Sequence, residues 1–392
     1  MPAAEPDAGA GARRGAVPAL WAAGFTTAFG AHGIAAGFGA QAQHLGLSFV
    51  SLGVLLALYD VAEVVLKPVF GTWSDRIGAK PVIVGGLALF AAASALGFVW
   101  HTTAGLAVAR LLQGAAASAF SPASSAGVAR LGGSRSLGRA FGSYGSWKGL
   151  GYALGPVLGA GLIAVGGLPA LFLALTALAA AVLVWVAVAL PALPPTPRPR
   201  STLRDLAHQL TRPGFVQPTA SLAVTTGTLG VAVGFLPLVG REIGLSAGVA
   251  MVAVTVLAVA SSVSQPWVGR RHDAGRLGER VGTVAGLLTI AAGVLLLAWV
   301  RHPVALFASA ALVGTGIGLV TPLAFARLAA SAPEGSLGRT LGSAEVGREL
   351  GDAGGPLLVG AVATAAGLPV ALSTLAGLVA LQSLVMGRRH RG

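Results

Sequence analysis

Long apolar runs recur along the whole chain, and short breaks that contain glycine, proline or clustered arginine separate them. Each run approaches the roughly 20 apolar residues that a helix needs to cross a bilayer. The pattern therefore predicts twelve membrane-spanning helices. Their expected positions are 17–40, 48–70, 81–99, 104–127, 139–162, 169–190, 214–237, 247–268, 281–300, 304–327, 338–363 and 369–386.

The composition and the placement of charge support a membrane environment. Hydrophobic residues make up 55% of the 392 residues and charged residues 10%, a balance that soluble proteins rarely have. The net charge of +13 would suit nucleic acid, but the basic residues cluster in alternate loops. With both termini on one side, only Arg241 and Arg301 among the loop arginines and lysines fall opposite. This distribution predicts a multi-pass protein of the plasma (inner) membrane with cytoplasmic termini, and it argues against nucleic acid as a partner.

Several kinds of chemistry are excluded by residues that the chain lacks. There is no cysteine, so disulfides, thiol chemistry and cysteine-ligated metals are impossible. There is no glycine-rich phosphate-binding loop, so ATP hydrolysis is not expected. The first apolar run is too long for a signal-peptide core, and we expect the first helix to be retained. The sequence predicts no enzyme, no cofactor and no metal site.

The chain contains an internal repeat. The segment "SLGRAFGSYGSWKGLGYALGPVLG" from Ser136 aligns without a gap with "SLGRTLGSAEVGRELGDAGGPLLV" from Ser336, and Gly114 corresponds to Gly314. A weaker echo relates Pro68, Gly71 and Asp75 to Pro266, Gly269 and Asp273. The chain therefore consists of two copies of a six-helix unit. Parallel repeats of this kind place a substrate site between the halves.

The repeat predicts three parts of the chain. These are an N-terminal six-helix bundle over 1–190, a cytoplasmic linker over 191–213 and a C-terminal six-helix bundle over 214–392. The linker is rich in proline and arginine, so its start should be extended and stiff. Residues 201–210 are expected to form a short amphipathic helix on the membrane surface.

Three motifs resemble those of a known family. They are "GTWSDRIGAK" between helices 2 and 3, "RLLQGAAAS" in helix 4 and "GYALGPVLGAGL" in helix 5, with Ala79 and Ala160 departing from the usual residues. The matching residues are Gly71, Asp75, Arg76, Gly78 and Lys80 in the first, Arg110, Gln113 and Gly114 in the second, and Gly151, Gly155, Pro156 and Gly159 in the third. The chain resembles the major facilitator superfamily, in particular its twelve-helix drug:proton antiporter branch. The resemblance implies an all-α membrane protein of two pseudo-symmetric six-helix bundles.

The first and third motifs also have a direct physical interpretation. Asp75 is suited to the positive N-terminal end of a neighbouring helix, a contact that forms in one conformation and breaks in the other. We interpret the first motif as a conformational latch, against the alternative that its cations only set topology. Gly151, Gly155 and Gly159 recur every four residues, so one face of helix 5 permits close backbone approach. Pro156 removes one backbone hydrogen bond of that helix.

Charged residues inside predicted spans are the main functional candidates, because an ionisable group at membrane depth is costly. Glu345, Arg348, Glu349 and Asp352 fall within an arc of about 100° on helix 11, and Asp60, Glu63 and Lys67 within about 60° on helix 2. Asp352 and Glu349 are the preferred proton carriers, ahead of Asp60, Glu63 and Glu345. The residues expected to pair with them or to orient a substrate are Arg348, Arg110, Lys148, Lys67, Gln113 and Trp147.

These candidates lead to one preferred function and two alternatives. We expect a proton-coupled secondary transporter that exports a small amphipathic molecule or drug by alternating access and acts as a monomer in the bilayer. In the family fold Asp60 or Glu63 would pair with Arg348 across the interdomain cleft. The first alternative is proton-linked uptake or export of an anionic metabolite. The second is a non-transporting receptor or scaffold, in which the charges only hold helices together.

Overall fold

Helices account for nearly all of the chain that the computed structural model describes, which is residues 8–41, 49–193, 195 and 211–387. Every predicted span coincides with a helix, and the all-α prediction is confirmed. The short helix predicted for 201–210 lies outside the described residues. The helices, named in chain order, are α1 Ala8–Gln41, α2 Phe49–Ile77, α3 Ala79–Val99, α4 Thr103–Gly132, α5 and α6 together Leu137–Ala189, α7 Pro213–Glu242, α8 Ala247–Asp273, α9 Glu279–Trp299, α10 Pro303–Ser331, α11 Leu337–Ala366 and α12 Leu368–Gly387.

Two equivalent glycines divide neighbouring helices. Gly166 and Gly167 interrupt the helical backbone between α5 and α6, and Gly167 has a φ of 67°. Gly367, its partner in the repeat, has a φ of 86° and separates α11 from α12. A side chain disfavours positive φ, so glycine at these positions permits the sharp reversal. Pro156 lies within the continuous helical part of α5.

Several helices extend past the apolar runs that predict them. The predicted span ends at residue 268, whereas α8 continues to Asp273 and carries Arg270, Arg271 and His272 in its last turn. Basic side chains near a helix C-terminus interact favourably with the helix dipole and its unpaired carbonyl groups. Hydropathy marks the apolar part of such a helix and misses its polar end.

Seven helical segments among the described residues, with α5 and α6 taken as one, are long and apolar enough to cross a membrane by length and composition. They include α3, α7, α8, α9, α10 and α12. In α2 and α11 the charged residues described above reduce the apolar character of the helix.

The chain forms two compact units. The first comprises Met1–Gly133, Leu154–Arg198 and Pro333–Gly342, and the second comprises Ser134–Ala153, Pro199–Ala332 and Ser343–Gly392. Helices α5 and α11 each contribute residues to both units. The division of the chain at 190 and 214 remains a prediction.

Close glycine contacts hold the first unit together. Gly114 of α4 lies against the backbone of Tyr59 in α2. Gly155 and Gly159 of α5 lie against Gly33 of α1, where a Cβ added at Gly155 would come within 3.0 Å of the Gly33 nitrogen. Helices in a membrane associate mainly through van der Waals packing, which small residues make possible.

The second unit repeats this arrangement. Gly314 of α10, the equivalent of Gly114, lies against the backbone of Leu257 in α8. Gly316 and Gly286 bring α10 and α9 into similar contact. An apolar core from α7, α8, α9, α10 and α12 fills the rest of this unit. Equivalent glycines thus make equivalent contacts, and the repeat in the sequence is also a repeat in the structure.

The contact between α1 and α5 provides a stability test with a matched control. Gly155→Leu should lower the free energy of unfolding by about 1–3 kcal/mol, because overpacking forces α1 and α5 apart. Gly161→Leu, on the same helix, meets no atom within 4 Å of the added Cβ and should have little effect. Thermal unfolding of the purified variants in detergent measures both. Equal melting temperatures for the two variants would contradict the packing described here.

Candidate functional site

A cavity in the second unit gathers two of the predicted cations. Residues of α5, α7, α8, α10 and α11 line it, and its open space, including the part continuous with solvent, is about 530 Å³. Its wall combines buried cations with hydroxyl groups and aromatic rings. The lining residues most relevant to its chemistry are Tyr144, Lys148, Tyr152, Thr226, Phe325 and Arg348.

Arg348 is one of the two cations in the described lining of this cavity. Its side chain is buried, with 6% of the residue exposed. One terminal nitrogen donates a hydrogen bond to the Tyr152 hydroxyl at 2.9 Å, and Nε donates to the Thr226 hydroxyl at 3.4 Å. The guanidinium carbon is 5.9 Å from the ring centres of Tyr152 and Phe325. Arg348 therefore connects α11 with α5 and α7 through hydroxyl groups and aromatic faces.

Lys148, the repeat equivalent of Arg348, forms an ion pair. Its Nζ lies 3.8 Å from Oε2 of Glu345, whose side chain is fully buried. Burial without a counter-charge is costly for either group, and pairing offsets that cost. Lys148 lines the cavity, so the pair joins a buried carboxylate to the cavity wall.

The two preferred proton carriers have different surroundings. Glu349 and Asp352 are half-buried and do not belong to the described lining of the cavity. Oδ1 of Asp352 faces α7, where it would lie 2.8 Å from a Cβ added at Gly230. Glu345 is therefore the most deeply buried carboxylate of the helix 11 stripe. Trp147 is 45% exposed and also lies outside the described lining.

The helix 2 candidates lie in the first unit. Lys67 Nζ is 3.1 Å from Oε1 of Glu63, and both side chains are buried, whereas Asp60 is exposed. All three residues of this stripe belong to the first unit. Pairing of Asp60 or Glu63 with Arg348 remains a prediction.

Helix 4 carries a second buried cation in the first unit. The Arg110 guanidinium lies 4.3 Å from the centre of the Tyr59 ring and donates to Gln113 Oε1 at 3.4 Å. Gln113 Nε2 donates in turn to the Ser94 hydroxyl at 2.9 Å. The network connects α4 to α2 and α3.

The motif residue Asp75 contacts the start of α11. Its carboxylate accepts hydrogen bonds from the backbone N–H groups of Gly338 at 2.8 Å and Arg339 at 3.0 Å. Gly71 lies against the backbone of Gly338, and Gly78 has a φ of 96° at the turn before α3. Such a carboxylate satisfies N–H groups that a helix leaves unpaired at its N-terminus. Of the remaining motif cations, Arg76 is exposed and Lys80 half-buried, and the latch role remains a prediction.

The equivalent contact at Asp273 was not singled out from the sequence. Asp273 accepts hydrogen bonds from the N–H groups of Gly138 and Arg139, both at 2.8 Å, at the start of α5. Gly269 lies against Gly138 as Gly71 lies against Gly338. The signal was the weak echo between Asp75 and Asp273, which sequence reasoning used only as evidence for the repeat.

Other cavity residues carried too little signal. The uncharged lining residues include Thr226, Ser261, Gln265 and Phe325. Their position in the wall depends on how each helix is rotated about its axis, which the sequence does not show. Gly151 of the helix 5 motif is buried. The third motif marks tight packing in this structure, and its role in antiport remains a prediction.

Comparison with known protein families identifies the family of this chain. The profile described as Major Facilitator Superfamily matches residues 20–229 and 219–389. The chain belongs to the Major Facilitator Superfamily. Members of this family are membrane transporters and not enzymes, and the resemblance to the drug:proton antiporter branch is confirmed.

Known members show local similarity in sequence. The inner membrane transport protein YajR of Escherichia coli is 42% identical over 72 residues, which cover 18% of this chain and 16% of that protein. Multidrug resistance protein 1 of Bacillus subtilis is 31% identical over 142 residues, 36% of each chain. The quinolone resistance protein NorA of Staphylococcus aureus is 29% identical over 117 residues, 30% of each chain. The matched segments thus span well under two thirds of these relatives.

Two solved structures share the fold over nearly the whole chain. The human organic anion transporter MFSD10 superposes with a TM-score of 0.78 at 20% identity, over 95% of this chain and 99% of that one. The Escherichia coli fucose:proton symporter FucP superposes with a TM-score of 0.76 at 16% identity, over 95% and 98%. The predicted two-bundle, twelve-helix fold is confirmed.

The buried ion pair makes a specific prediction for stability. Lys148→Gln and Glu345→Gln should each lower the free energy of unfolding by about 3–5 kcal/mol, because each leaves a buried charge uncompensated. The double variant should recover most of that loss. Thermal or denaturant unfolding of the purified proteins measures the cycle.

A half-exposed pair serves as the control for this cycle. Arg301 Nη1 lies 3.5 Å from Glu242 Oε2, with roughly a third and a half of these side chains exposed. Glu242→Gln should change stability by less than about 1 kcal/mol. Strictly additive losses in the Lys148/Glu345 double variant would show that the two groups are not coupled.

Proposed function

We propose that this protein is a proton-coupled secondary active transporter that moves a small amphipathic molecule by alternating access. It acts as a monomer without a cofactor, in the plasma membrane, with both termini in the cytoplasm. The observation that carries this proposal is the cavity in the second unit, where Arg348 and the Lys148–Glu345 pair meet aromatic side chains. A cavity of this composition suits a ligand with an apolar body and a polar group.

The charges favour transport over a receptor or scaffold role. Static helix packing in this chain is already provided by glycine contacts such as Gly114 on Tyr59 and Gly314 on Leu257. A scaffold gains nothing from a buried cation in the wall of a cavity, and ionisable groups at membrane depth are costly to retain. A ligand that binds there and a proton that neutralises a carboxylate give these groups a function.

Glu345 is our first candidate for the proton-carrying carboxylate, ahead of Asp352 and Glu349. Its full burial and its single-turn distance from Arg348 support this order. While Lys148 stays close, the ionised form of Glu345 is stabilised. When a ligand draws Lys148 away, desolvation favours the protonated form. Asp60 and Glu63 remain candidates in the first unit.

The carboxylates at helix starts supply a mechanism for conformational exchange. Asp75 of α2 holds the N-terminus of α11, and Asp273 of α8 holds the N-terminus of α5, each by two hydrogen bonds and no covalent link. Contacts of this kind are each worth about 0.5–2 kcal/mol, small enough to break and reform during a transport cycle. We propose that Gly71, Asp75, Arg76, Gly78 and Lys80 form one latch.

Efflux by proton antiport is the direction that we propose first. Its support is the helix 5 motif at Gly151, Gly155, Pro156 and Gly159 and the local similarity to proteins named for multidrug and quinolone resistance. In antiport, ligand and proton occupy the carrier alternately. A ligand that carries a positive group competes with the proton for a carboxylate and so fits this exchange.

Proton-linked movement of an anionic metabolite is the second candidate, and the cations of the cavity favour it. An anion bound beside Glu345 raises the cost of ionising that carboxylate. The anion and a proton would then be bound together and move in the same direction. The direction of substrate movement under an imposed pH gradient separates the two candidates.

Proton flux in everted vesicles tests the proposal. With a pH-sensitive dye, wild-type protein should respond to one class in a panel of lipophilic cations, neutral drugs and organic anions. Glu345→Gln should lower the initial flux at least tenfold, because a side-chain amide cannot exchange a proton at this position. Glu334→Gln, an exposed loop carboxylate, is the matched control and should leave flux unchanged.

The variants at helix 11 give distinct outcomes. Loss of flux in Asp352→Asn with full flux in Glu345→Gln would move the proton site to Asp352. Absence of a response to every compound, in wild-type protein that is correctly inserted and folded, would contradict proton-coupled transport.

A further inference from the structure

Arg348 differs from the buried lysines Lys67 and Lys148 in what surrounds it. Lys67 and Lys148 each have a carboxylate nearby, Glu63 at 3.1 Å and Glu345 at 3.8 Å. Among the residues that the structure describes, no carboxylate oxygen lies within 4.0 Å of the Arg348 guanidinium. A guanidinium keeps its charge under all physiological conditions. Arg348 is therefore a buried cation that lines a cavity and has no carboxylate in direct contact, while Glu345, Glu349 and Asp352 of the same helix act on its charge from a longer distance.

The hydrogen bonds of Arg348 leave donors for a ligand. A guanidinium has five N–H groups in a planar fork. The bonds to the hydroxyls of Tyr152 and Thr226 use two of them and hold the side chain in place. The remaining donors match the two oxygens of a carboxylate, which arginine binds in bidentate fashion.

The cavity wall also offers a surface for a flat apolar body. The rings of Phe141 and Phe325 stack with centroids 5.5 Å apart and an interplanar angle of 20°, and both residues line the cavity, as does Tyr144. Ligand rings pack favourably on aromatic faces. Lys148 adds a second cation on the α5 side.

We propose that this cavity binds an aromatic molecule through a carboxylate group, with the carboxylate on Arg348 and the ring system against Phe141, Tyr144 and Phe325. The inference rests on the proposed transport function and names the substrate class. It determines the charge of one end of the ligand. A zwitterion with this end group fits antiport, and a simple anion fits movement together with a proton.

The acidic residues of α11 favour a cationic ligand, which is the alternative to an anion at this cavity. Glu349 follows Arg348 directly, and Asp352 lies four residues on, close enough along the helix to weaken the attraction for an anion. Neither belongs to the described lining of the cavity. If they governed the site, a cationic ligand would bind instead, so the test compares three ligands of one shape.

Equilibrium binding to the purified full-length protein tests the proposal. The probes are 2-naphthoate, its neutral amide and the corresponding naphthylmethylammonium ion, titrated by calorimetry in detergent. We expect naphthoate to bind at least about tenfold more tightly than the amide, the gain expected of a charge-assisted hydrogen bond. Arg348→Gln should abolish this preference, and Arg348→Lys should keep part of it. Lys148→Gln should reduce it by a smaller factor.

Arg301→Gln, which removes a cation of the half-exposed pair with Glu242, is the control and should bind like wild type. Thermal unfolding shows which variants are folded. If Arg348→Gln does not fold, the test rests on Arg348→Lys, which should show a reduced preference for naphthoate. A preference for the ammonium probe, equal binding of all three, no binding, or an unchanged preference in both Arg348 variants would overturn the proposal. Since no transport is measured, anion-selective binding without proton flux would reject the proposed function alone, and proton-coupled flux without anion preference would reject this inference alone.

Discussion

The cost of placing charge inside a membrane is the constraint on which this structure depends. A bilayer offers no water to an ionised side chain, so each buried charge needs a partner within the protein. Lys67 with Glu63 and Lys148 with Glu345 satisfy that need by ion pairing. Arg348 uses hydroxyl groups and aromatic faces, which stabilise a cation less than a carboxylate does. This difference is the reason for placing the proposed carboxylate group of a ligand at Arg348.

Close helix packing supports this arrangement. Hydrophobic burial does little to hold helices together in lipid, so van der Waals contact across small residues has to do so. Gly114 and Gly314 bring the fourth helix of each repeat onto the second, and Gly155 brings α5 onto α1. Contacts of this type are strong in one geometry and weak in others. Asp75 and Asp273 add hydrogen bonds to the starts of α11 and α5, and these are the contacts that we propose break and reform.

The sequence predicted the helices and the repeat well, because apolar runs and glycine spacing are local properties of the chain. The break at Gly167 between α5 and α6 follows from the same patterns. Helix ends were predicted less well, since α8 continues through a basic turn that hydropathy does not mark. The weak echo at Asp273 was visible, but its contact with α5 depends on the distant residues Gly138 and Arg139.

The site was predictable only in part, because helical spacing gives an arc and not a facing direction. Glu345, Arg348, Glu349 and Asp352 share one stripe, yet Arg348 lines the cavity and Glu345 faces Lys148. A difference of a few tens of degrees in rotation separates these roles. Asp352, the first choice for the proton on sequence grounds, faces Gly230 on α7. Uncharged residues such as Thr226 carry no signal that distinguishes them from packing residues.

The absence of cysteine from the natural chain allows a direct test of alternating access. Thr321→Cys places a single thiol in the cavity wall on α10, and Ser309→Cys, buried against Gly293 on the same helix, is the control. Labelling by a membrane-impermeant thiol reagent is measured in right-side-out and everted vesicles, with and without a pH gradient. We expect the cavity cysteine to react from both sides, with the gradient shifting the balance between them, and the control to stay unlabelled. Reaction from one side only, under every gradient, would contradict alternating access and with it the transport function.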